Sequence, residues 1–186
     1  MIALSYLTKR LSGNNINSAK KEIFRSLSLK RHNERKLISQ PINILYEVVS
    51  DVDNYQHFVP WCKQSTVIRR KDKNHITAEL DVGFSLFSEK YASEVELHEP
   101  YSVTAISKET KLFEFLRTEW KFTQSSNNAN YTWVTFQVDF QFKSSLYNEV
   151  SNLFLKEVVN KMVNAFENRC LMLSESRKGK KSTLSH

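Results

Sequence analysis

The sequence predicts an α+β fold in which a curved antiparallel sheet grips one long C-terminal helix. Three observations carry this expectation. Between about residues 64 and 142, segment after segment alternates apolar and polar side chains with a period of two. Residues 144–173 then switch to an apolar recurrence of three or four. With three glycines and three prolines in 186 residues, the chain has few sharp turns and little linker, as one domain with tails would.

In chain order, Glu34–Ile38 is a short candidate strand. Pro41 suits the first turn of a helix, where its missing N–H costs nothing, and Ile44, Leu45, Val48 and Val49 continue the stripe to about Val52. Asp53–Phe58 reads as a second short helix ended by Pro60. Ile76, Ala78, Leu80, Val82 and Phe84 alternate with polar neighbours, as do Tyr91, Ser93, Val95 and Leu97. The clearest case is Val134, Phe136, Val138, Phe140 and Phe142. Such alternation marks strands with one face covered and one in water. Weaker strands fit at about 64–70, 102–109 and 119–124, giving a six-stranded meander with the first strand at an edge as a seventh. In the last element Leu146, Val150, Leu153, Phe154, Val158, Met162, Val163 and Phe166 form an apolar stripe, and the open sheet face is the large partner available to it.

Successive loops of a meander alternate between two ends of the sheet. The polar links at 71–74, 98–101 and 125–130 share one end. The other receives Phe58 and Trp61, the turn of Phe84, Leu86 and Phe87, and the segment Leu112, Phe113, Phe115 and Leu116. Three apolar segments at one rim predict a ligand mouth or a membrane contact.

The net charge of +7 sits in the tails. Residues 1–33 carry seven Lys/Arg and one acid, and residues 176–186 carry four Lys/Arg and no acid. Residues 34–175 carry 16 basic and 19 acidic residues, which argues against a nucleic-acid partner. The basic, serine-bearing, acid-poor segment 1–33 reads as a mitochondrial transit peptide or basic leader, 34–175 as the domain, and 176–186 as a disordered basic tail able to attract anionic lipid. No run of apolar residues is long enough to span a bilayer, so membrane contact would be peripheral.

Little here suggests catalysis. Cys62 and Cys170 form no C-x-x-C unit, and His32, His57, His75, His98 and His186 show no metal-binding spacing, so no metal site is expected. Glu79, Asp81 and Asp139 fall at solvent-facing strand positions, which gives no carboxylate pair. An apolar tunnel is the better expectation. Val82, Tyr91, Val95, Trp120, Phe122, Phe136, Val138 and Phe140 supply one wall, and Val158, Met162 and Phe166 on the helix the other. Tyr91, Trp120 and Ser93 are the donors available to orient a polar head.

From Glu34 to Arg169 the chain resembles the coenzyme Q-binding proteins of mitochondria, members of the START-like (polyketide cyclase) superfamily. The segments that carry the resemblance are ERKLI (34–38), LYEVVSDVDNYQHFVPWCKQSTVI (45–68), LDVGFSLFSEKYASEVEL (80–97), EPYSV (99–103), LFEFLRTEWKF (112–122) and FQFKSSLYNEVSNLFLKEVVNKMVNAFENRC (140–170). The resemblance implies a helix-grip fold and coenzyme Q (ubiquinone) or a related isoprenoid quinone as bound ligand, with no separate cofactor. It also implies peripheral association with the matrix side of the inner mitochondrial membrane and a chaperone or delivery role in respiration and quinone biosynthesis, alongside the complexes of those processes. Other members of the superfamily leave two alternatives: a ribosome- or RNA-associated module, and a small-molecule cyclase.

Overall fold

The computed structural model describes residues 29–84, 87–108, 110–143 and 148–183. The chain divides into two units: Met1–Lys30, of which only Leu29 and Lys30 are described, and Arg31–His186. The expected leader therefore lies largely outside the described residues.

Among the described residues ten elements follow one another. Strand β1 is Lys30–Ile38, helix α1 is Ile42–Ser50, and a 3-10 helix spans Val52–His57. Strands β2 (Cys62–Arg70), β3 (His75–Phe84), β4 (Phe87–His98), β5 (Ser102–Lys108), β6 (Phe113–Gln124) and β7 (Thr132–Phe142) form the meander. Helix α2, Asn148–Thr183, closes the chain. The sheet order is β1-β7-β6-β5-β4-β3-β2, so the first strand does sit beyond the last, at an edge.

Local chemistry accounts for the boundaries. Pro41 is the N-cap of α1 rather than part of its first turn, and its carbonyl accepts from Ile44 N at 3.1 Å. Leu45, Val48 and Val49 recur on one face and are buried. The 3-10 helix then lies along β2: Asp53 Oδ1 accepts Val67 N–H at 2.6 Å, and Gln56 N–H donates to Ser65 Oγ at 3.0 Å.

Three boundaries differ from expectation. β1 starts at Lys30, so residues 30–33 of the expected leader are already strand; the extra length is held by charge, not by apolar periodicity. Arg31 reaches Asp139 on β7, and Lys36 pairs with Glu167 on α2. β6 starts at Phe113, where a loop was expected, because a register shift between Phe113 and Phe115 breaks the alternation. α2 has 36 residues, about 54 Å at 1.5 Å each, and continues to Thr183, so residues 176–183 are helical rather than irregular.

The core lies between the inner sheet face and the two helices. Val159, Val163, Phe166 and Cys170 turn in from α2, and Leu45, Val48 and Val49 from α1. Phe136 on β7, 1% exposed, packs against Trp120 on β6 with ring centroids 4.4 Å apart, and Trp120 meets Phe166 at 4.8 Å. This aromatic stack spans from sheet to helix.

Candidate functional site

The inner face of the sheet and α2 do not meet everywhere. Between them lies a cavity of about 310 Å³. Its sheet wall follows from the pleat: with a period of two, directly paired residues on neighbouring strands share a face. Leu80 pairs with Tyr91, and Val82 with Glu89. Val95 pairs with Ala105, Ala105 with Thr118, and Thr118 with Val138. All of these line the cavity, and Val158, Met162 and Phe166 of α2 cover it. Val59, Pro60, Trp61, Leu112, Phe113 and Phe142 belong to the end of the sheet where β3 joins β4 and β5 joins β6.

The wall is apolar apart from a short polar row. On β4, Glu89, Tyr91 and Ser93 follow one another on the inner face, and Ser107 faces Ser93 from β5. Ser93 Oγ and Ser107 Oγ hydrogen-bond each other at 2.5 Å. Glu89, 4% exposed, accepts the Lys111 N–H at 2.6 Å, which ties the β5–β6 link to β4. Thr110 Oγ1 accepts Phe113 N–H at 2.7 Å in the same link. Burial first, then the nearby Cys62 and Glu89, push the Tyr91 phenol up to about 12, so it stays protonated and able to donate. Burial also raises the Cys62 thiol, and raises Cys170 to about 12, which suits small apolar packing groups better than nucleophiles. Tyr55, on the 3-10 helix, directs its hydroxyl to the Val49 carbonyl. Among the described residues no group of three or more His, Cys, Asp or Glu is placed to hold a metal, and no helix is long and apolar enough to cross a membrane.

Residues 38–167 match the family described as polyketide cyclase / dehydrase and lipid transport. The chain belongs to this family. Within it, the chain groups with the coenzyme Q-binding proteins. It is 39% identical over 137 residues to a mitochondrial coenzyme Q-binding protein homolog of Xenopus laevis, a match covering 73% of this chain and 56% of that protein. It is 34% identical over 144 residues to the mitochondrial coenzyme Q-binding protein of Saccharomyces cerevisiae, covering 75% and 70%. The chain thus spans little more than half the length of the Xenopus relative. Among solved structures, a START superfamily protein from Mycobacterium smegmatis superimposes with a TM-score of 0.68 at 15% identity, over 77% of this chain and 98% of that one. That likeness concerns the fold.

Val82, Tyr91, Val95, Trp120, Phe136, Val138 and Phe140 line the cavity, as do Val158, Met162 and Phe166. Phe122 does not: it is 3% exposed, pairs with Val134, and belongs to the solid core. Of the expected mouth residues, Trp61, Leu112, Phe113 and Leu116 line the cavity. Phe58 instead packs edge-on against Tyr55 and Phe166, at 5.8 and 5.0 Å between centroids. Phe115 pairs with Gln141 and points away from the cavity, a consequence of the register shift beside Phe113. Leu86 lies outside the described residues, as do the side chains of Phe84 and Phe87. Asp139 is on the outer sheet face as expected, yet only 4% exposed, because Arg31 covers it.

Glu89 was missed. Starting the β4 alternation at Lys90 leaves the preceding residue out of the pattern. Running Val95, Ser93 and Tyr91 back by two reaches Glu89 on the inner face. Thr118 and Ser107 were missed for a related reason: polar residues on an inner face look like solvent-facing ones.

Proposed function

We propose that this protein binds coenzyme Q or a closely related isoprenoid quinone in the cavity and serves as its carrier or chaperone rather than transforming it. The observation that supports this best is the cavity itself: about 310 Å³, apolar on nearly every side, with Glu89, Tyr91 and Ser93 as its polar inner row. An apolar wall favours an apolar ligand by roughly 25 cal/mol for each Å² removed from water. Relatives named as mitochondrial coenzyme Q-binding proteins supply the ligand class and the compartment. Both cysteines have raised thiols, which suits packing groups better than nucleophiles.

The working site is then the matrix side of the inner mitochondrial membrane, with peripheral contact. The basic segment ahead of β1 would supply the address, and Arg177, Lys178, Lys180 and Lys181 an attraction to anionic lipid. Delivery to respiratory and quinone-forming complexes is the role that follows for a carrier of this cargo. The test is to isolate the full chain from membranes, extract it with organic solvent, and identify the lipid by mass spectrometry. A stoichiometric quinone is expected. A protein that emerges empty and takes up no added quinone would end the carrier reading.

A further inference from the structure

Volume decides how much of such a ligand goes inside. At roughly 10–15 Å³ of such space for each water-sized group, a cavity of about 310 Å³ holds on the order of twenty to thirty non-hydrogen atoms. That is a substituted benzoquinone ring with one to three isoprene units, or a comparable length of tail, but not a ring together with a tail of many isoprene units. The occupant is one end of the ligand or the other, and the chemistry of the wall chooses between them.

Ser93 and Ser107 share one hydrogen bond, which uses the proton of one of the two hydroxyls. Glu89 and Tyr91 are different. Glu89 uses one carboxylate oxygen for the Lys111 N–H, and its other oxygen has no hydrogen-bond partner among the described residues. Tyr91 Oη has none either, although it lines the same space. Both groups face a space that water can enter, and a ligand that displaces that water must replace its hydrogen bonds. An isoprene tail offers them nothing. A ring carrying oxygens offers both an acceptor and, when reduced, a donor.

Resting on the quinone reading above, we propose that the ring enters the cavity and is held by Tyr91 and Glu89, while the tail leaves past Trp61, Leu112 and Phe113. Tyr91 donates to a ring oxygen. The free oxygen of Glu89 accepts from a ring hydroxyl, which the hydroquinone has and the quinone lacks. Glu89 is therefore a specificity residue that favours the reduced ring, and the tail remains available to lipid outside.

The experiment follows tryptophan fluorescence of the full chain, since Trp61 and Trp120 line the cavity. The probes are a benzoquinone with one isoprene unit and the same ring with many units, each oxidised and reduced. An isoprenoid alcohol without a ring serves as competitor. The one-unit ring is expected to bind within about threefold of the long one, and the alcohol about tenfold more weakly or worse. Tyr91→Phe should weaken both redox forms by about fivefold. Glu89→Gln retains an acceptor for Lys111 N–H but presents an N–H donor to the ring. It should lower affinity for the hydroquinone by about tenfold and leave the quinone unchanged or tighter. If Glu89→Gln fails to fold by circular dichroism, Tyr91→Phe carries the test. Affinity that climbs with tail length, with the alcohol competing as well as the quinone, would overturn ring-first binding. So would both variants binding as the parent does. No binding of any ring at any tail length is a separate result, and it removes the quinone reading itself.

Discussion

Arg31 on β1 holds Asp139 on β7 through two hydrogen bonds, Nε to Oδ1 at 2.7 Å and Nη2 to Oδ2 at 3.2 Å. Gln137 adds a third to Oδ2 at 2.9 Å. Burial works against the Asp139 charge, but the bonds from Arg31 and Gln137 and the charges of Arg31 and Arg117 outweigh it, so its pKa lies below the ordinary 3.8. A depressed carboxylate stabilises the fold fully above its unfolded pKa and ceases to do so as pH falls through the folded value. Asp139→Ala should therefore lower stability at pH 7 by on the order of 1 kcal/mol, with the gap to the parent closing only in acid below 3.8. Urea midpoints at the two pH values check this, and a gap that persists unchanged in acid would contradict it.

Trp61 has φ of 64°, in the left-handed region that side chains avoid at a cost of roughly 1–2 kcal/mol. Its carbonyl accepts Gly83 N–H at 2.8 Å, which holds the backbone there. Trp61→Gly should therefore be more stable than Trp61→Ala by about 1 kcal/mol, the reverse of the usual order. Thermal unfolding of the pair decides it, and both variants should bind the quinone less well, since each opens the cavity wall.

Phe113 and Phe115 are two residues apart on one strand yet differ in surroundings. Phe113 stacks on Phe142 at 5.0 Å and lines the cavity, whereas Phe115 is on the other face. Phe113→Ser should cost about 3 kcal/mol, and Phe115→Ser about 0.5 kcal/mol or less. If Phe115→Ser nevertheless abolishes flotation with liposomes, membrane contact runs over the outer face rather than the rim of the cavity.

Ala105 faces the void from β5. Ala105→Leu adds atoms where there is space, so stability should hold or rise by about 1 kcal/mol. Quinone uptake should fall by about tenfold or more, because the added volume competes with the ring. A variant that is as stable as the parent and still binds normally would show that the ligand sits elsewhere.

What the sequence made legible was whatever local periodicity encodes. Val134, Phe136, Val138 and Phe140 announce their own strand and its buried face, and Val158, Met162 and Phe166 announce the helical stripe that faces it. What stayed hidden depends on distant partners. β1 looked short because Arg31, near its start, is anchored by Asp139, more than a hundred positions away. The start of β6 was hidden by the slip beside Phe113. Glu89 was hidden because a carboxylate on an apolar wall contradicts the rule that acidic residues face water. Rules of that kind fail most often where a protein does its work.

The bonds by which the 3-10 helix grips β2 bear on how this protein keeps company with itself. A bare strand edge is an invitation to another strand. Here Asp53 occupies the Val67 N–H and Ser65 is tied to Gln56, so part of that edge is already taken by the chain's own neighbour. At the far edge, Arg31, Asn33 and Arg35 stand exposed on β1, and two arginine-bearing edges brought together repel. Both margins of the sheet thus carry features that oppose edge-to-edge pairing with another strand.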